Sequence, residues 1–279
     1  MPVKVITDSV ADLPRQVVEN LGILIVPLLV RFGTAEYRDG VDLTMSEFYS
    51  LLEHSPDFPV TAFPPATAFA EAFEKTSAEG HDVLVITLSQ KLSGTYNSAV
   101  TARTMIDPGH NIEIVDSGCA AMMEGFIAMR AAQAAQAGAS LTEAAAAAAE
   151  TREQVHMLST FRTLEYLRRG GRIGKAKAFL GSTLKVHPFI TLKDGLVRPA
   201  GAATSRTRAV EKLIAFAGKF SRIEELAVEH TESPDEAAFM IERLGDYYPS
   251  ERIHLSEMTP VIGAHTGPGT LVVCVLGKR

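Results

Sequence analysis

The chain has 279 residues, 46% of them hydrophobic and 22% charged, the composition of an ordinary globular protein with apolar material for one large or two medium cores. A formal net charge of -6 removes any global pull toward nucleic acid or an anionic membrane surface, so a basic site has to be local. Its two cysteines, Cys119 and Cys274, lie far apart and have no metal-binding spacing, which suggests neither a zinc site nor a disulfide framework and fits a reducing cytoplasm.

Met1–Thr7 leads directly into a strand-like run without an apolar leader. The most apolar run, Ile23–Val30, is interrupted by Pro27 and falls far short of the ~20 residues that span a bilayer. A soluble, cytoplasmic protein is expected, not embedded in a membrane but free to make transient contact with one. Val3–Ile6, Ile23–Val30, Val83–Thr87 and Ile112–Val115 read as strands, alternating with helical stretches such as Pro65–Ala78 and Thr95–Met105. Alternation of this kind marks a parallel sheet covered by helices. Cys119–Gln154 is dominated by alanine, and Gly138-Ala139-Ser140 divides it into two helices, the second capped by Ser140 or Thr142. From Val155 the pattern restarts with a strand at Val155–Leu158 and a helix through Arg169. Leu184–Leu192 and Leu196–Ala203 then form a hairpin around Asp194-Gly195. Helix Ser205–Gly218, strand Leu226–His230, helix Pro234–Tyr247, strand Arg252–Ser256 and strand Thr270–Leu276 complete the chain. The expectation is an α/β protein of two domains, with an N-terminal parallel sheet flanked by helices in 1–154 and a C-terminal mixed sheet with helices in 155–279, meeting at a cleft.

Four segments carry chemical potential. Thr7-Asp8-Ser9 follows the first strand, where ligand crevices of parallel sheets lie, although Asp8 or Ser9 serves equally as a helix cap. Asp12-Leu13-Pro14 reads as a plain cap. Ser93-Gly94-Thr95 stands between a strand and a helix and combines hydroxyls, close backbone approach and a helix N-terminus into an anion pocket. His265, one of eight histidines, sits on a Gly-rich loop before the last strand and could donate to an oxyanion. Arg168, Arg169 and Arg172 form a basic patch that suits phosphate or an acidic partner surface, or simply a helix C-terminus. Neither a Walker motif nor a Gly-x-Gly-x-x-Gly after the first strand is present.

Taken in order, Ile6-Thr7-Asp8-Ser9, Asp12-Leu13-Pro14, Ile25-Val26-Pro27-Leu28, Tyr37–Asp42, Leu92–Ala99, Val115-Asp116-Ser117, Leu164–Ile173, Lys185–Pro188 and His265–Gly269 resemble the DegV family, which includes the fatty-acid-binding subunits of bacterial fatty acid kinase. The resemblance implies an acyl chain buried in the N-terminal domain. Its carboxylate would meet Thr61, Ser93 and His265, with the backbone of Gly94 and Thr95 nearby. It also implies no resident cofactor or metal. ATP and Mg2+ belong to a partner kinase subunit, which would convert the carboxylate to an acyl phosphate for phospholipid synthesis. Where the family commonly shows Thr-Ser-x-Pro-Ser, this chain reads Thr61-Ala62-Phe63-Pro64-Pro65. The threonine remains, and both serine hydroxyls are gone. Phe63, Phe69, Met122, Met123, Phe126 and Ile127 are candidates for the tunnel wall, and Arg168, Arg169 and Arg172 for kinase docking. Two other readings compete: a lipid-sensing regulatory protein without a kinase, and a serine hydrolase with Ser93 as nucleophile, His265 as base and Asp8 or Asp116 as its orienter.

Overall fold

The computed structural model describes residues 1–179 and 186–279, and in chain order its elements are as follows. The first half comprises β1 (Val3–Asp8), α1 (Arg15–Leu21), β2 (Leu24–Val26), β3 (Leu29–Phe32), β4 (Ala35–Arg38), α2 (Met45–His54), β5 (Val60–Ala62), α3 (Ala66–Ala78), β6 (Asp82–Thr87), α4 (Thr95–Arg103), β7 (Ile112–Asp116), α5 (Met122–Gln136) and α6 (Leu141–Arg152). Then come β8 (Val155–Thr160), α7 (Glu165–Arg169), β9 (His187–Lys193), β10 (Leu196–Ala203), α8 (Arg206–Ala217), β11 (Arg222–His230), α9 (Pro234–Leu244), β12 (His254–Glu257), α10 (Pro260–Thr266) and β13 (Leu271–Lys278).

Among the described residues the strands form three sheets. β2-β1-β6-β7 is wholly parallel, and its central strand β6 (Asp82–Thr87) is buried at every residue, as a strand covered on both faces must be. β10-β9-β8-β13-β11-β12 is mixed, with only β11 and β12 parallel. A small antiparallel sheet, β4-β3-β5, accounts for a departure from expectation: Ile23–Val30 is two strands in different sheets. Pro27 cannot donate to a ladder, and the next amide, Leu28 N, donates to Ser9 Oγ at 3.1 Å instead. The Asp194-Gly195 hairpin forms, with φ of 55° and 75° at its two turn residues. Leu184 and Lys185, the expected start of its first strand, lie outside the described residues. Ser140, not Thr142, caps α6, in a reciprocal capping box with Glu143.

Side-chain alternation explains how the sheets meet. On β13, Leu271, Val273 and Val275 point into the core under α8 and α9, while Val272, Cys274 and Leu276 join a second core with α5 and the parallel sheet. α5 touches β1 and β6 of one sheet and β8, β11 and β13 of the other, so its small, all-round apolar surface of Ala and Met is buried from both sides. Among the described residues, no helix is long and apolar enough to cross a membrane.

Five carboxyl groups sit in this region. Asp8, Asp12, Asp39, Glu124 and Glu229 are each no more than 3% exposed. Asp8 accepts from Val10 N at 3.0 Å and Leu88 N at 2.9 Å, Asp39 from Val261 N at 2.9 Å, Asp12 from Thr259 N at 2.9 Å, and Glu229 from Met122 N at 3.0 Å. Glu124 accepts from the Thr7 hydroxyl at 3.1 Å. Desolvation pushes Asp8 and Glu229 up to about 7 and Asp39 up to about 6, and raises Asp12 and Glu124 as well. Carboxyls with raised folded values contribute stability that is complete below the unfolded value near ~4 and is lost as pH rises through the folded one. Histidines His156, His187, His230 and His265, lowered by burial, act oppositely below about pH 6.5. Above that point the carboxyl effect dominates, joined from about pH 8 by Cys119 and Cys274, whose thiols burial also raises. The melting temperature should fall between about pH 6.5 and 8.5, less steeply in Asp8→Asn. A flat profile over that range contradicts the assignment.

Candidate ligand site

A cavity of ≈ 290 Å3 opens where the carboxyl ends of the parallel strands face the mixed sheet, the position at which parallel sheets form ligand crevices. Val10 follows β1, Leu88 follows β6, and Ala120 and Ala121 lie between β7 and α5. The opposite wall is one face of the mixed sheet, with Met157 and Ser159 two apart on β8, Ile190 and Leu192 two apart on β9, and Val272 on β13. Leu28 just before β3, Thr61 of β5 and Val261, Ile262 and His265 of α10 close the sides.

Polarity is confined to one end. Six hydroxyl residues among the described ones line the cavity, and four turn away to backbone carbonyls. Ser159 donates to Ile190 O at 3.0 Å, Thr191 to Met157 O at 2.9 Å, Thr266 to Ile262 O at 2.9 Å and Thr270 to Thr266 O at 3.2 Å. Thr61 and Ser93 do not. Thr61 Oγ1 is 2.8 Å from His265 Nε2, and the Ser93 and Thr95 hydroxyls are hydrogen-bonded at 2.9 Å. Arg172 is the one formally charged side chain among the described lining residues. It is half-buried, and it donates from Nε to Leu92 O at 3.0 Å and from Nη1 to Gly170 O at 2.7 Å, tying the Ser93 loop to the end of α7.

Burial, with a smaller contribution from the Arg172 charge, lowers His265 to about 4, so the ring is neutral at pH 7. Its Nδ1 has no partner among the described residues and faces Gly170, where an added Cβ would stand 2.2 Å from it. A buried, unpaired N–H costs more than a bare nitrogen lone pair, which places the proton on Nε2. His265 Nε2–H then donates to Thr61 Oγ1, leaving the Thr61 hydroxyl proton for a ligand. Gly170 is what permits this approach, since any side chain there would displace the imidazole.

The structure brings Thr61, Ser93 and His265 together at this end and sorts the other candidates differently. His265 lies in the last turn of α10, not on a loop: Pro260 starts the helix, and Gly263 is small because the Phe48 ring packs within 2.8 Å of where its Cβ would be. Thr95 is fully buried behind Ser93, and neither Gly94 nor Thr95 lines the cavity. Of the tunnel candidates, only Phe63 does. Phe69 packs with Phe73 against the outer face of the parallel sheet, and Met122, Met123, Phe126 and Ile127 fill the core around α5. The second half of the chain supplies much of the wall in their place. Arg168 is exposed and paired with Glu165 at 2.5 Å, Arg169 is exposed with its guanidinium 3.6 Å above the Phe58 ring, and Arg172 has turned into the cavity wall. Among the described residues the triad expected of Ser93, His265 and Asp8 or Asp116 does not assemble: His265 bonds Thr61 rather than Ser93, Asp8 is occupied by Val10 N and Leu88 N, and Asp116 is occupied by Gln90 and Gly118 N. Among the described residues, no group of three or more His, Cys, Asp and Glu side chains could hold a metal ion.

The family model described as "Uncharacterised protein, DegV family" matches residues 2–278. The chain belongs to the DegV family. It is 37% identical to a DegV domain-containing protein of Streptomyces coelicolor, over 99% of both chains. The DegV family protein of Thermus thermophilus, whose structure concerns fatty acid binding, superposes with a TM-score of 0.91 at 34% identity, covering 99% of this chain and 100% of that one. DegV of Bacillus subtilis, a fatty acid binding protein, gives 0.87 at 32% identity over 100% of both. A stearic acid-binding protein of Eubacterium ventriosum gives 0.87 at 26% identity, covering 99% of this chain and 98% of that one. Fatty acid binding in DegV structures thus accompanies this fold. The assigned protonation is checked by 15N NMR titration: His265 should stay neutral with its proton on Nε2 until the pH approaches about 4. A midpoint near the ordinary histidine value of ~6.5 contradicts it.

Proposed function

We propose that this DegV protein holds one long-chain fatty acid in the cavity and presents its carboxylate to a partner kinase. The observation that carries the ligand class is the distribution of polarity: an apolar cavity in which, among the described lining residues, the single cation, Arg172, lies beside the two hydroxyls not spent on backbone carbonyls. An amphiphilic monoanion is the complement of that surface. The fatty acid ligands of the Thermus, Bacillus and Eubacterium relatives support the same class.

The two ends of the ligand do different things. A buried methylene contributes roughly 0.8 kcal/mol, so about 15 of them contribute on the order of 12 kcal/mol before the cost of immobilisation. The carboxylate contacts then fix orientation more than affinity. Thr61 donates its hydroxyl proton, Ser93 adds a second donor, and Arg172 supplies charge. In the reaction, a carboxylate oxygen attacks the γ-phosphorus of ATP held by the kinase; the bond from that phosphorus to the β-γ bridging oxygen breaks, giving ADP and an acyl phosphate. Such transfers depend on positioning and charge neutralisation, with ATP and Mg2+ on the partner. Exposed Arg168 and Arg169 offer that partner a basic contact.

Denaturing extraction followed by lipid mass spectrometry should recover about one long-chain fatty acid per chain. A lipid-free protein that also refuses added fatty acid contradicts the reading. With an ATP-dependent fatty acid kinase subunit, Ser93→Ala should lower acyl phosphate formation on the order of tenfold or more while keeping much of the bound lipid. Loss of all lipid from that variant contradicts the division between the two ends. If lipid is bound and no kinase phosphorylates it, a lipid-sensing role replaces the kinase step. Arg168→Glu with Arg169→Glu should weaken kinase binding, and unchanged binding removes the docking role.

A further inference from the structure

We propose that Phe63 is the gate of the cavity, its ring setting how fast a ligand enters and leaves without setting how tightly it is held. Phe63 lines the cavity and is also 51% exposed. Among the described lining residues no other apolar side chain is exposed: Val10, Leu28, Phe161 and Met258 are buried at 1–3%. Phe63 is therefore the most solvent-exposed apolar side chain of the described lining, where Leu92, Leu192 and Ile262 are half-buried, and it stands at the polar end. Its ring rests against the Gly94 backbone, next to Ser93, so closely that a Cβ on Gly94 would come within 2.7 Å of two ring carbons.

The surrounding backbone is held on both sides. Thr61 and Ala62 pair with Val30 and Leu29 on β3. Pro64 and Pro65 follow with φ fixed by their rings, and the Pro64 carbonyl accepts from Ser98 Oγ at 2.5 Å. Opening by backbone movement would break these ties, whereas rotation of the ring about its own side-chain bonds breaks none of them. A ring so placed covers the carboxylate end when closed and uncovers it when turned outward. Because the acyl chain is held mainly by the interior wall, removal of the ring should change the barrier more than the bound state.

The inference rests on the fatty-acid reading, and its test separates the two. Protein loaded with deuterated palmitate is chased with unlabelled palmitate, exchange is followed by native mass spectrometry, and association and dissociation rates are measured for wild type, Phe63→Ala, Phe63→Leu and Phe63→Trp. The gate predicts that Phe63→Ala raises both rates together, on the order of tenfold, with Kd little changed. Phe63→Leu should be intermediate and Phe63→Trp slower than wild type. Should Phe63→Ala fold poorly, the Leu and Trp variants carry the same ordering. Unchanged rates overturn the proposal, as does a faster dissociation with unchanged association, which marks the ring as an ordinary contact. Wild-type protein that takes up no palmitate overturns the underlying reading, and the gate with it.

Discussion

The buried carboxylates between the two large sheets are the constraint on which the cavity depends. Loops at the ends of strands carry backbone amides without ladder partners, and buried amides left unpaired would be costly. Here Asp8 holds Val10 N and Leu88 N, and Asp39 holds Val261 N, all three residues lining the cavity. Asp12 and Glu229 hold Thr259 N and Met122 N, one residue beyond the lining residues Met258 and Ala121. The last case matters most. Ala121 has φ of 60° and ψ of -157°, a conformation costing on the order of 1–3 kcal/mol for a non-glycine residue, and it persists because bonds on both sides fix it: Ala121 N to Val10 O at 2.9 Å and Met122 N to Glu229. An apolar cavity between two sheets thereby keeps its shape without filling with side chains.

The polar end follows a different rule. Its groups are held by one another and by close packing rather than by fully buried carboxyl groups. Gly170 lets the imidazole approach α7, the neutral imidazole orients Thr61, and Arg172 joins the Ser93 loop to the same turn. These residues come from β5, the start of α4, the end of α7 and α10, so the site exists only when both sheets are in place. That arrangement suits a carrier: rigid apolar walls for the chain, and an oriented set of donors where the carboxylate meets a partner.

Much of the fold is legible in the sequence because its signals are local. β-branched runs and alanine-rich helices announce the parallel layer, Asp194-Gly195 announces the hairpin, and Ser140 announces the start of α6. Pro27 is visible as an interruption, but its consequence, a change of sheet, depends on the partners that β3 finds in β4 and β5, far from any local signal. Ser93 and His265 are legible as hydroxyl and imidazole beside glycines, and Thr61 through resemblance. The wall is not. An apolar side chain in the sequence does not distinguish core from cavity lining, so Phe126 and Ile127 of α5 read the same as Met157 and Ile190, although only the latter pair faces the cavity. Alternation along β8 and β9 is the available clue, since one face of a strand beside a helical layer must meet something else. Arg172 reads with its neighbours as surface charge because sequence adjacency hides the turn at Gly170-Gly171 that sends it inward.

A crystal structure of the protein with palmitate tests the central claim most directly. The account predicts carboxylate oxygens within hydrogen-bonding distance of Thr61 Oγ1 and Ser93 Oγ, and an acyl chain between Val10 and Ala120 on one side and Met157 and Ile190 on the other. A carboxylate at the opposite end, or a chain bound between the other surfaces of the two sheets, would contradict it.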